Sequence, residues 1–204
     1  KIKYFDLVVL ETLWEYIAGP VVAASKRHHV PYIIQPHGQL LPWCINQKRL
    51  KKQLYLTLFG RRYLSQAAAL HCTAPVEAEA IKSFNFRAPT FVVPNCIDLT
   101  RFENMPGHGH MRRRLGIPED ARVLLFMGRL HSVKRPDLAI STLIAAQSLT
   151  GEVHLIMAGP DETGMNEVLI ELATQAGCAN YLHIVGFLDG DDVLQAFTDS
   201  DILI

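Results

Sequence analysis

The stretch Val123-Leu124-Leu125-Phe126-Met127-Gly128-Arg129-Leu130-His131-Ser132-Val133-Lys134-Arg135-Pro136-Asp137 decides how the chain is read. Its opening apolar run does not alternate, which predicts a strand buried on both faces. Gly128 lets the backbone turn sharply and come close to a ligand. Pro136 followed by Asp137 marks a helix start. Arg129 offers a planar fork for phosphate oxygens and Lys134 a mobile point charge. Two cations beside the free N–H groups of a helix start suit a diphosphate. A solvated basic loop has the same composition, so the segment taken alone leaves both readings open.

Outward from this unit the same alternation recurs. Asp6 to Leu10, Tyr32 to Ile34, Ala69 to Cys72 and Phe91 to Val93 read as strands, separated by helices over Trp14 to His29, Lys48 to Leu64 and Pro75 to Phe84. Beyond it, Val153 to Met157, His183 to Val185 and Ile202 to Ile204 read as strands, with helices over Pro136 to Leu149, Met165 to Gly177 and Asp191 to Thr198. Short apolar strands alternating with helices predict an α/β protein whose parallel sheets are covered on both faces. Asp98 to Asp120 breaks the pattern with Pro106, Gly107, Gly109, Gly116, Pro118 and the run Arg112 to Arg114. It is expected to be a linker with at most a short helix. The predicted organisation is therefore two incomplete Rossmann-like domains, 1–97 and 121–204, joined by 98–120.

Ligands of open parallel sheets bind at the carboxyl ends of the strands. Gly159-Pro160-Asp161 and Gly186-Phe187-Leu188-Asp189-Gly190 occupy such ends, and Phe187-Leu188 could wall a flat base, although simple βα turns look the same. In the first half, Gln35-Pro36-His37-Gly38 follows a strand. His37 there either faces a cleft or is a capping or core histidine.

Composition narrows the class. Twenty basic and twenty acidic residues leave no net charge, so no global field argues for nucleic acid. No apolar run approaches the roughly 20 residues of a membrane span, and no signal peptide is read at Lys1 to Tyr4. Cys44, Cys72, Cys96 and Cys178 form no C-x-x-C pair, which suggests reduced, mostly buried thiols of a cytoplasmic protein. The chain starts without methionine and stops on Ile202-Leu203-Ile204, as expected of a piece of a longer protein.

Taken in order, the motifs resemble the retaining glycosyltransferases of the large group 1 family, family 4 of the GT-B fold. The resemblance rests on Pro36-His37-Gly38, the segment Ala69 to Glu77, Val93-Pro94-Asn95-Cys96-Ile97-Asp98, and Gly128-Arg129-Leu130 with Lys134. It continues through Ala158-Gly159-Pro160, Val185-Gly186-Phe187 and Ser200-Asp201. A dinucleotide-binding oxidoreductase is disfavoured because no G-x-G-x-x-G is present.

The resemblance implies a UDP- or GDP-linked sugar as donor substrate, with no cofactor and no obligatory metal. Gly128, Arg129 and Lys134 would lie on the diphosphate, and Gly159, Phe187 and Leu188 near the ribose and base. His37 would reach the transferred sugar. It further implies a front-face mechanism in which the leaving phosphate takes the acceptor proton, the acceptor being a glycan or a lipid-linked or lipopolysaccharide precursor. Two departures matter. Cys96 stands where the family usually has glycine, and would carry strain if that backbone needs a positive φ. The family's two-glutamate motif and its first glycine-rich loop are absent, so the chain alone is expected to show little transfer. A nucleotide-sugar epimerase and a catalytically silent sugar-nucleotide-binding paralogue are the competing readings.

Gln47 to Gln66 carries six basic residues and no acidic one, interleaved with Leu50, Leu54, Tyr55, Leu58 and Phe59. Such a helix either lies on the inner face of an anionic membrane or packs its leucines on the sheet.

Overall fold

The computed structural model describes residues 1–204, which divide by their contacts into Lys1–Ile97 (unit 1) and Asp98–Ile204 (unit 2). Unit 1 is a parallel sheet in the order β1 (Val8–Leu10), β2 (Tyr32–Ile34), β3 (Ala69–Cys72), β4 (Thr90–Val92). Right-handed crossovers between strands laid down in one direction place their helices on one face. Leu10, Tyr32, Ile34, Leu70 and Cys72 are accordingly buried with Val22 of α1 (Ala18–Arg27) and Ile81 of α5 (Pro75–Lys82). Val9 and Phe91 point the other way and remain exposed. Cover on both faces, expected from the apolar runs, is thus not found in unit 1.

Two helices differ from expectation. α1 begins at Ala18, four residues after Trp14, and carries Gly19-Pro20 in its first turn. The basic stretch is not one regular helix. α2 (Pro42–Asn46) and α3 (Arg49–Tyr55) lead into a π-helical turn, Leu56–Gly60, then α4 (Arg61–Gln66). Lys48 before α3 is left-handed at φ 54°. Leu56 and Leu64 are buried, whereas Leu50, Leu54 and Leu58, spaced four apart along one helical face, are exposed. The packed-leucine reading fails for those three residues.

Unit 2 has the strand order β7 (Leu182–Gly186), β6 (Val153–Ala158), β5 (Arg122–Met127), β8 (Ile202–Leu203), all parallel. The chain winds outward from β5 to β7, then returns to β8 on the other side of β5. Helices consequently fall on both faces. Leu124, Phe126, Leu155 and Met157 pack against α7 (Pro136–Thr150) and α8 (Met165–Gln175) through Ile140, Leu143 and Leu169. Val123, Leu125 and Ile156 pack on the opposite face against Met111 of α6 (His110–Leu115) and Ala196 of α9 (Gly190–Thr198). All six residues of β6 are buried, and each large apolar side chain so placed contributes about 1.5–3 kcal/mol.

Residues 98–120, read from composition as a linker, belong instead to unit 2. Asp199, fully buried, accepts from the backbone N–H groups of Gly109, Met111 (2.6 Å) and Arg112 (3.2 Å). The Arg112 guanidinium, 3% exposed as a residue, donates to the carbonyls of Asp199 (3.0 Å) and Ala121 (2.7 Å) and pairs with Asp201 at 3.3 Å. One arginine of the run Arg112 to Arg114 is thus a buried clasp.

At the amino end of the sheet His154 Nδ1 lies 2.9 Å from His183 Nε2, and His154 Nε2 lies 3.1 Å from Glu152. Burial, and then the neighbouring His154, hold the His183 imidazole below its ordinary value. The four cysteines are unpaired, with Cys72 and Cys178 buried, Cys44 partly so and Cys96 exposed. Cys96 is not among the residues of positive φ, so the strain anticipated there does not arise.

Candidate functional site

In unit 2 the loops after β5, β6 and β7 are laced together just beyond the strands. Gly128 N–H donates to Ala158 O (2.9 Å), Leu130 N–H to Pro160 O (3.0 Å) and Gly159 N–H to Gly186 O (2.7 Å). These bonds extend the ladder by one step and leave a cavity of about 340 Å³ at the carboxyl edge. Gly128, Arg129, Gly159, Pro160, Phe187 and Leu188 line it. It opens beside the end of β5, where the winding direction reverses and open α/β sheets take their ligands. Five residues named from separate motifs therefore share one wall.

The glycines have different reasons. Gly159 has φ 151°, and a Cβ there would lie 1.8 Å from the carbonyl oxygen of Gly128. Gly128 has no positive φ, and a Cβ on it would meet nothing nearer than 4.0 Å. The sharp turn expected at Gly128 is therefore not what requires glycine. Its bare backbone matters only as an open edge of the cavity.

The cations also separate. Arg129 is exposed and pairs with Glu162 at 3.5 Å, a surface contact that contributes little and can exchange for an anion. Lys134 ends a single 3₁₀ turn, Ser132–Lys134, and is exposed outside the cavity lining. Arg135, left-handed at φ 53°, is tied bidentately to Asp137 at 2.9 and 2.7 Å. That bond, with the arginine charge, holds the Asp137 carboxyl below its usual range. Asp161 caps α8, accepting from Met165 N–H (2.8 Å) and Asn166 N–H (2.9 Å). The start of α8 is thus satisfied from within, and the cationic character of the cavity rests on Arg129, with Lys134 near the loop.

Unit 1 gathers its polar residues at the carboxyl edge of its own sheet. His37 is left-handed at φ 49°, about one third exposed, with Nε2 3.9 Å from Glu11 Oε2. Gln35 donates to Asn95 Oδ1 at 3.2 Å, and Gln39 Oε1 accepts from Leu13 N–H at 2.8 Å. Glu77 accepts from Thr73 N–H (2.6 Å), Thr73 Oγ1 (2.7 Å) and Gly38 N–H. Sequence reasoning gave no role to Glu11, Glu77 or Glu162. Glu11 directly follows a strand, which was the available signal. Glu77 closes the segment Ala69 to Glu77 that carried part of the resemblance, and for Glu162 no signal existed beyond its loop.

Comparison with known proteins then places the chain. The model of the glycosyl transferase 4-like domain matches residues 3–96, and that of glycosyl transferases group 1 matches residues 109–204. A D-inositol 3-phosphate glycosyltransferase of Actinosynnema mirum is 30% identical over 148 residues, 68% of this chain and 35% of that protein. Anabaena Alr3699/HepE, solved in complex with UDP and glucose, superposes with a TM-score of 0.76 at 20% identity, over 98% of this chain and 52% of its own. WaaG, a glycosyltransferase involved in lipopolysaccharide biosynthesis, gives a TM-score of 0.59 at 18% identity, over 90% of this chain and 55% of its own. The chain thus spans about a third of the first of these proteins and about half of the two solved structures. At these identities the structures establish the fold, which is that of the GT-B glycosyltransferases.

Proposed function

Because the chain belongs to the glycosyl transferases of group 1, preceded by a glycosyl transferase 4-like domain, we propose that it forms part of an enzyme moving a hexosyl group from a nucleoside-diphosphate sugar to an acceptor hydroxyl, with retention at the anomeric carbon. The observation that carries this reading is the convergence of Gly128, Arg129, Gly159, Phe187 and Leu188 on one cavity at the carboxyl edge of unit 2. The Anabaena protein's complex with UDP and glucose supports a donor of that class.

Phe187, 71% exposed, presents a ring face on which a base can stack. Arg129, released from Glu162, and Lys134 meet the diphosphate. As the sugar–phosphate bond breaks, charge grows on the leaving oxygen, where these two cations stabilise it most. The acceptor oxygen bonds to the anomeric carbon from the same face, and its proton passes to the departing phosphate. We assign to His37 a hydrogen bond to the transferred sugar, as the family resemblance implies.

Calorimetric titration with UDP and with GDP tests the donor site. One of them is expected to bind, and the double variant Arg129→Ala, Lys134→Ala to weaken it at least about tenfold, since hydrogen bonds to charged groups are worth about 1.5–3 kcal/mol. Binding of neither nucleotide, or equal binding by the variant, would refute the assignment.

We further infer that the acceptor is lipid-linked and that 47–66 rests on an anionic membrane surface at the cytoplasmic face. The exposure of Leu50, Leu54 and Leu58 beside Lys51, Arg61 and Arg62 supports this, because apolar insertion and charge attraction then act from one surface. Sedimentation should show binding to phosphatidylglycerol-containing vesicles and none to pure phosphatidylcholine. Equal recovery in both supernatants would remove the membrane reading.

A further inference from the structure

Glu77 lies on the first turn of α5 and is 6% exposed. A carboxylate there ordinarily serves its own helix start, and the contacts with Thr73 N–H (2.6 Å) and Thr73 Oγ1 (2.7 Å) are of that local kind. Its other oxygen does something different. Oε1 accepts from the N–H of Gly38, 39 residues earlier and after a different strand.

That N–H lies in the same peptide plane as the His37 carbonyl, so holding it restrains the backbone torsion ψ at His37 and the turn from which the side chain projects. The position needs holding. His37 is left-handed at φ 49° and Gly38 at φ 75°, a conformation that costs a non-glycine residue free energy and persists only where its surroundings impose it. Burial pulls the Glu77 carboxyl up, but the bonds from Thr73 and Gly38 outweigh it, so the group stays below its usual range and ionised at neutral pH. An ionised acceptor makes the stronger bond. Glu77 makes no hydrogen bond to the imidazole, so its influence on chemistry passes through the His37–Gly38 turn.

We propose that Glu77 is a positioning residue for the transfer reaction, bracing the left-handed His37–Gly38 turn that carries the imidazole. The proposal rests on the role given above to His37. It is tested with Glu77→Gln in the full-length protein, since glutamine keeps the size but turns one accepting oxygen into a donor. The expected result is a fall in kcat of about 10- to 100-fold, the scale of a displaced catalytic contact, with the donor KM within about twofold. The His37 ring resonances in carbon–proton correlation spectra should move as well. Thr73→Val, which removes a local bond and leaves the Gly38 bond in place, should melt lower yet keep kcat within about twofold. If Glu77→Gln does not fold, Glu77→Asp carries the same expectation, because the shorter side chain keeps its charge near Thr73 and withdraws from Gly38. An unchanged kcat in the folded variant, or a parallel loss in Thr73→Val, overturns the proposal. Full activity of His37→Ala would instead overturn the reading of His37 on which it rests.

Discussion

Replacing Asp199 with alanine should destabilise unit 2 by about 3 kcal/mol or more, seen as a fall in Tm of roughly 10 °C or more. The side chain is fully buried and serves as the cap that α6 lacks in its own sequence. Gly109 precedes that helix and has no side chain to offer, so the N–H groups of Gly109, Met111 and Arg112 turn to the Asp199 carboxylate at the end of α9, distant in sequence. Alanine would leave three donors without a partner. An N-cap alone is worth about 0.5–2 kcal/mol, and each buried donor left unpaired adds about 1–3 kcal/mol. The Arg112 guanidinium would survive this change, since its partners are the carbonyls of Asp199, Pro118 and Ala121 and the Asp201 carboxylate. Asparagine at 199 should therefore cost less than alanine, because one accepting oxygen remains. Urea unfolding followed by circular dichroism measures both. A Tm within a degree or two of the parent for the alanine variant would show that the α6 cap is dispensable.

Gly159→Ala should abolish nucleotide binding in calorimetry, a loss of more than about 100-fold, and lower stability by about 3 kcal/mol. The added carbon would fall 1.8 Å from Gly128 O and 2.6 Å from Gly128 C, atoms of a neighbouring backbone that cannot rotate aside. Relief requires the loops after β5 and β6 to part, which breaks the Gly128–Ala158 (2.9 Å) and Leu130–Pro160 (3.0 Å) bonds and opens the cavity wall. Gly128→Ala is the control. Its Cβ would have only the Phe126 ring at 4.0 Å, so stability should stay within about 1 kcal/mol. Equal binding by Gly159→Ala and the parent would mean that the nucleotide sits elsewhere.

Much of the architecture was legible. The strand Tyr32–Ile34, the strand Ala69–Cys72 and the helix start at Pro136 lie where apolar runs and proline placed them. The stretch 47–66 was harder, because its apolar residues fall at helical spacing on more than one face, and only packing decides that Leu56 and Leu64 are buried while Leu50, Leu54 and Leu58 stay outside. Arg112 was read as one of three consecutive arginines in a linker, since nothing adjacent to it reveals the carbonyls of Asp199 and Ala121 that enclose it. Gly128, Arg129, Gly159, Phe187 and Leu188 could be named singly from strand-end positions, but only their shared cavity joins them.

The sequence by itself determined the alternation of strands and helices, the parallel sheets and the loops that carry the candidate site. Those properties depend on apolar runs and turn residues within a few positions of each other. Tertiary structure alone decided which carboxylates brace the molecule. Glu77 reaches Gly38 across 39 residues and Asp199 reaches Gly109 across 90, and a hydrogen bond over such a separation leaves no periodic trace in the chain. It also decided that Gly159, and not Gly128, is the glycine the fold requires. Close approach of two backbones depends on where neighbouring strands end relative to each other, which is set when the sheet closes.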